Sequence, residues 1–166
     1  MFKNKNIVNN FGMKKIIYLF VFMFIFAVSM SYNFSFYDTL KPFDLGTYSL
    51  FCNNEKEGLL GAIKIKNGDL YTYTFNSIKD MGFLVFDEEI LSQEFRTVDG
   101  EKVEKYIQEN SLIKVKKETI ENIEINYYYC NFLPKKTVFK EGCFNIVIAQ
   151  NNEVYTIGYP AIMSGF

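Results

Sequence analysis

Asp99–Asn131, DGEKVEKYIQENSLIKVKKETIENIEINYYYCN, changes its period once along its length. In the first part Val103, Tyr106 and Ile107 fall at the i, i+3, i+4 spacing that gathers side chains on one helical face. The spacing predicts a helix from Gly100 to about Glu109, with Asp99 as its N-cap and Asn110 at its end. Glu101 and Lys105, four apart, form a favourable surface pair. The apolar stripe is narrow and the helix short, so it must pack on a sheet rather than stand alone. After Ser111 the period falls to two. Strands are expected at Leu112–Glu118 and Asn122–Asn131, the second with Ile123, Ile125, Tyr127 and Tyr129 on one side and Glu124, Asn126 and Tyr128 on the other.

Toward the C-terminus the alternation continues. A strand is expected over Cys143–Gln150, where Phe144, Ile146 and Ile148 alternate with Asn145 and Val147, and another over Glu153–Tyr159. Asn151-Asn152 makes the tight turn between them, and Pro134, Lys135, Lys136 and Lys140 mark a longer polar loop before them. Gly158 and Pro160 read as chain geometry, glycine permitting a close approach and proline ending the strand.

Toward the N-terminus, GAIKIKNGDLYTYTF (residues 61–75) is a hairpin signal, with Asn67-Gly68 as its two-residue turn. Ile63 and Ile65 alternate with Lys64 and Lys66, and Tyr71, Tyr73 and Phe75 with Thr72 and Thr74, predicting one apolar and one wet face. Thr47–Cys52 reads as a first strand after a lead-in over Tyr37–Gly46. A helical turn at Ser77–Met81, a strand at Phe83–Phe86 covered on both faces and an extended piece at Glu94–Val98 complete the expectation. The fold class is α+β: an antiparallel sheet with one main helix on one face, its C-terminal half reading β-α-β-β-β-β.

Ahead of this domain lies Met13–Ser31, MKKIIYLFVFMFIFAVSMS. Lysines precede an unbroken apolar run, and small residues follow at Ala27, Ser29 and Ser31, the layout of a secretory signal. The apolar run is shorter than the roughly 20 residues that a membrane span needs. The preferred reading is a signal peptide over residues 1–31, cut after Ser29 or Ser31, and the alternative is a retained anchor. Met13 is a second candidate start. Either way the basic N-terminus stays inside, and residues 32–166 form a single exported domain. With Lys3, Lys5, Lys14 and Lys15 in the leader, that domain carries fourteen basic against nineteen acidic residues, a net charge of −5. This balance opposes nucleic-acid binding, which rests on cationic contacts to phosphate, and limits membrane contact to the N-terminal segment.

Cys52, Cys130 and Cys143 make an odd number, unlike a disulfide framework. They read as three small buried hydrophobes, with a Cys130–Cys143 bridge as the alternative.

The last seventy or so residues resemble the YwmB-type family of exported proteins from Gram-positive, often spore-forming, bacteria. The likeness rests on Tyr127-Tyr128-Tyr129-Cys130-Asn131 followed by Pro134, on Asn145-Ile146-Val147-Ile148-Ala149, and on Thr156-Ile157-Gly158-Tyr159-Pro160-Ala161-Ile162 ending at Phe166. Tyr159 departs from the small Thr or Ser usual there, and residues 32–95 show no match. The resemblance implies a curved antiparallel sheet like that of the TATA-box-binding protein. It carries no DNA binding and no functional residue to this chain.

There is no histidine. This removes Ser-His-Asp and Cys-His nucleophilic sites and the commonest metal ligand and general base. P-loop and dinucleotide patterns are absent as well. The remaining catalytic option is a carboxylate pair among Asp87, Glu88 and Glu89, which reads first as a solvated charge run. The aromatics Tyr127–Tyr129, Tyr71, Tyr73 and Phe75 suit either a binding surface or a core. No catalytic, cofactor or metal residue is therefore assigned. The expected function is that of a non-enzymatic binding or structural module, secreted or on the outer face of the membrane, with a protein or cell-wall component as partner. A small carboxylate-dependent wall hydrolase and a membrane-tethered assembly subunit are the alternatives.

Overall fold

The computed structural model describes residues 18–23, 35–77, 89–140 and 142–165. The chain divides into two compact units, residues 1–34 and 35–166. In the first, residues 18–23 are helical with exposed side chains. Among the described residues no helix is long and apolar enough to cross a membrane. The rest of the expected leader lies outside the described residues. So do the expected helical turn beyond Ser77, the strand at Phe83–Phe86, and the carboxylates Asp87 and Glu88.

The second unit is α+β. Its elements in order are α1 (Phe36–Thr39), β1 (Thr47–Cys52), β2 (Ile63–Asn67), β3 (Leu70–Phe75), β4 (Ile90–Thr97), α2 (Gly100–Glu109), β5 (Ile113–Ile120), β6 (Ile123–Tyr129), β7 (Thr137–Phe139), β8 (Gly142–Phe144), β9 (Ile146–Asn151) and β10 (Val154–Tyr159). Eight strands form one sheet in the order β2-β3-β1-β4-β10-β9-β6-β5, and β7 pairs β8 separately. Every pairing is antiparallel. β4 and β10 are therefore the central strands, and β2 and β5 the edges.

Strand registers sort the side chains onto two faces. Tyr48, Phe95, Ile157 and Ile148 share one, and Ser49, Glu94, Gly158 and Val147 the other. The first face is covered by helix. α2 forms where the period predicted, with Asp99 Oδ1 accepting from the Lys102 amide at 3.0 Å, which satisfies one orphan donor of the first turn. Val103 and Tyr106 are buried and Ile107 is half-buried. Lys105 pairs forward with Glu109 at 3.5 Å rather than back with Glu101.

The expected lead-in proves to be core. Ser35 and Asp38 close a reciprocal capping box around α1, and Phe36, Leu40 and Phe43 are buried. Phe36 stacks on Tyr159 with ring centroids 5.5 Å apart, and Phe43 packs between Phe95 at 4.7 Å and Tyr106 at 5.7 Å. The Tyr106 hydroxyl meets Thr39 Oγ1 at 3.2 Å, and Asn110 Nδ2 donates to the Thr39 carbonyl at 3.2 Å. A turn too short to show a helical period is thus wedged between helix and sheet. Gly46, just after it, sits where a Cβ would lie 2.2 Å from the Phe95 ring.

The other face is covered in its middle by the β7–β8 hairpin and by residues 160–165. Ile125, Phe144, Val147 and Ala149 form its core cluster, with Tyr127, Phe139 and Ile162 packed against them. β4 begins four residues before the expected extended piece at Glu94–Val98. Its Ser92 and Glu94 are polar yet buried, because the C-terminal tail lies over them.

Three expectations about the strands need correction. The Cys143–Gln150 strand is interrupted at Asn145, which separates β8 from β9. Asn145 is fully buried and clamps the preceding turn: Oδ1 accepts from the Cys130 amide at 2.7 Å, and Nδ2 donates to the Cys130 carbonyl at 2.8 Å and the Leu133 carbonyl at 3.0 Å. The two tight turns also sit one residue later than expected. Asn67 pairs with Leu70 and Asn151 with Val154, so Gly68-Asp69 and Asn152-Glu153 are the loops. Gly68 takes a φ of 62°, as its first loop position requires. Finally, Ile63 and Ile65 register with Thr74 and Thr72, while Lys64 and Lys66 register with Tyr73 and Tyr71. The isoleucines are therefore on the face opposite the tyrosines, and both are exposed.

Candidate binding surface at Arg96

Arg96 is the single arginine among eighteen basic residues. It lies near the end of β4, on the tail-covered face opposite Thr156 of β10. Two neighbours along that face, Ser92 and Glu94, tie down the tail. Ser92 Oγ donates to the carbonyls of Tyr159, at 3.3 Å, and of Ala161. The buried Glu94 carboxylate accepts from the Met163 amide, from the Ser164 amide at 2.9 Å and from the Ser164 hydroxyl. The approach is close because Gly158 has no side chain; a Cβ there would stand 2.6 Å from the Ala161 carbonyl oxygen. Arg96 Nη2 completes the clamp, donating to Ser164 Oγ at 2.6 Å and the Gly165 carbonyl at 3.3 Å.

Two concave stretches of surface share Arg96. One depression, of about 530 Å³, is lined by Arg96, Ala149, Asn151, Asn152, Glu153, Val154, Thr156 and Gly165. The other, of about 420 Å³, runs over Leu45, Gly46, Thr47, Val98, Asp99, Lys102 and again Arg96 and Val154. Both fall within the roughly 300–1,000 Å³ that small-ligand sites occupy. Leu45, Val98 and Val154 are exposed. Lys102 is held by Asp44 at 2.7 Å and Asp99 at 3.7 Å. Among the described residues no carboxylate pairs with Arg96.

The residues weighed from sequence do not converge here. Glu89 accepts from Asn54 Nδ2 at 3.2 Å and pairs with Lys56. Tyr73, Phe75 and Tyr128 are buried. Tyr71 carries Lys66 5.0 Å from its ring centroid and Lys64 at 5.8 Å. Tyr127 meets Phe139 and Phe144 edge-on at 5.6 and 5.0 Å, and its hydroxyl donates to Glu118 at 2.8 Å. Burial first, and then Glu118, push the Tyr127 hydroxyl pKa up, while the Lys116 ammonium and Tyr127 hold Glu118 below the usual carboxylate value. Tyr73, Phe75, Tyr127 and Tyr128 thus serve packing. The cysteines form no disulfide: Cys52 and Cys130 are buried and Cys143 is half-buried. Among the described residues no group of three or more His, Cys, Asp or Glu is placed to hold a metal ion.

Arg96 was missed because a lone arginine in a polar strand carries no spacing signal. Its singularity in a lysine-rich chain was the one clue. No protein-family model, curated protein or solved structure matches the chain.

Proposed function

We propose that this protein is an exported, non-enzymatic binding module of the cell envelope, which engages a protein or wall component through the sheet face that carries Arg96. The observation that carries the reading is the pair of depressions that share Arg96, whose guanidinium has no carboxylate partner among the described residues. Residues 13–31 act as the export signal, and the domain works beyond the membrane. In support, the compact unit begins at Ser35, so a cut after Ser29 or Ser31 leaves every described contact of the domain in place. The YwmB-type relationship and its curved sheet belong to the same proposal.

The carboxylate-hydrolase alternative relies on Asp87, Glu88 and Glu89, and the Lys56 partner of Glu89 weighs against it. The test is cosedimentation of the full chain with purified cell walls, coupled to assay of released glycan and peptide. Binding without release, lost in Arg96→Glu and kept in the triple alanine variant of Asp87, Glu88 and Glu89, is the expected result. Release of fragments that stops in the triple variant would replace this reading with the hydrolase.

A further inference from the structure

We propose, resting on the binding-module reading, that the Arg96 surface takes the free carboxylate end of a peptide whose last side chain is bulky and apolar. The two depressions share Arg96 and Val154, and both are walled mainly by apolar surface. On one side Leu45, Val98 and Val154 present apolar surface at 83, 72 and 42% exposure, which a side chain of Leu or Phe size would cover. On the other, Asn151, Asn152 and Thr156 offer amide and hydroxyl groups suited to the preceding peptide units. Arg96 is common to both, so the terminal carboxylate of such a peptide would fall at its guanidinium.

The charge pattern narrows the ligand further. Lys102, the other cation of the surface, is already neutralised by Asp44 and Asp99. Arg96 alone therefore meets the anion, and a planar guanidinium matches the two oxygens of a carboxylate. Glu153 lines the depression that holds Asn151 and Thr156 and opposes a second negative charge. One guanidinium facing one carboxylate suits a monoanion over a phosphate or a diacid. Of the two bonds made by Nη2, the contact to the Gly165 carbonyl is the longer at 3.3 Å. It is the one an incoming carboxylate replaces, because an anionic acceptor outcompetes a neutral carbonyl. The Glu94–Ser164 anchor beneath stays in place.

The experiment is calorimetric titration of the full chain with acetylated hexapeptides ending in Leu or Phe, as free acids and as C-terminal amides, with a Gly-ending acid as control. The free Leu or Phe acids are expected to bind at least tenfold tighter than their amides, about 1.4 kcal/mol, and tighter than the Gly-ending acid. Arg96→Lys keeps the charge but removes the fork, and should lose most of the acid-over-amide preference. Because Arg96 also holds the tail, Val98→Asp serves as the second variant: it is on the surface, and should lose the preference for Leu or Phe over Gly. Equal binding of acid and amide, or a wild-type profile in Arg96→Lys, overturns the proposal. If no peptide binds while the chain still sediments with walls, the carboxylate assignment fails and the binding module stands. If neither peptides nor walls bind, both fail.

Discussion

Replacing Asn145 by alanine should cost this domain about 4 kcal/mol, a large fraction of the roughly 5–15 kcal/mol that stabilises a typical domain. The figure follows from what the substitution strands. The Cys130 amide loses its 2.7 Å acceptor and the Leu133 carbonyl its 3.0 Å donor. The Cys130 carbonyl keeps a weaker contact from the Leu133 amide at 3.4 Å. Cys130 and Leu133 are buried, so two groups lose hydrogen bonds away from solvent at about 1–3 kcal/mol each. With a urea slope of about 2 kcal/mol per molar, the unfolding midpoint should fall by about 2 M. Asn126→Ala is the control, because it removes the same atoms but its Oδ1 has no partner among the described residues, and it loses only the bond from Nδ2 to the half-buried Glu124 carboxylate at 2.9 Å. Losing one such bond costs about 1 kcal/mol, so this variant should shift the midpoint by about 0.5 M. Equal shifts for the two variants would refute the claim that the Asn145 hydrogen bonds, rather than generic amide burial, hold the turn.

Gly158→Ala should dislodge the tail, since its Cβ would meet the Ala161 carbonyl oxygen and Ile162 Cγ1 at 2.6 Å. A loss of about 1–3 kcal/mol in thermal unfolding is expected, with faster amide exchange at Met163 and Ser164; unchanged exchange would contradict it. On acidification, Asp38, Glu118 and Glu124 set the direction. Burial pushes Asp38 up, but the Ser35 amide and hydroxyl, with Lys41, bring it below its ordinary 3.8. Glu118 and Glu124 are held below 4.5 by Lys116 and Lys117 respectively, each helped by a neutral hydrogen-bond donor. Depressed folded values mean that the unfolded chain binds more protons. This stability is complete above the ordinary values and is lost as pH falls through the folded ones. Melting temperature should decline below about pH 4.5, and less steeply in the triple variant D38N, E118Q and E124Q; a rise on acidification would contradict the sign. Finally, iodoacetamide should label Cys143 first in the native protein, because Cys52 and Cys130 are buried and burial pushes the Cys130 thiol up. Mass spectrometry should count three labels after unfolding without reductant, and a single label would mean a disulfide, which is the Cys130–Cys143 bridge if the label sits on Cys52.

Local pattern carried much of this domain. The helix at Gly100–Glu109 and the strand at Thr47–Cys52 form where period and capping placed them, because those signals reside in neighbours along the chain. The α+β class followed from one change of period near Ser111. What the pattern could not carry was coverage. Phe36, Leu40 and Phe43 became core because helix and sheet close over them from residues far along the chain. Ser92 and Glu94 became buried acceptors and donors because the tail returns across β4 some seventy residues later. Asn145 broke a well-alternating strand because three backbone groups of the preceding turn needed partners.

The Arg96 surface belongs to the second class as well. Sequence alone determined that the chain lacks histidine, is acidic beyond residue 31 and has one arginine, since composition needs no fold to be read. Only the tertiary structure decided that this arginine lines two depressions at once. Those walls come from the loop before β1, the end of β4 and the β9–β10 turn, and antiparallel pairing, not proximity in the chain, brings them together.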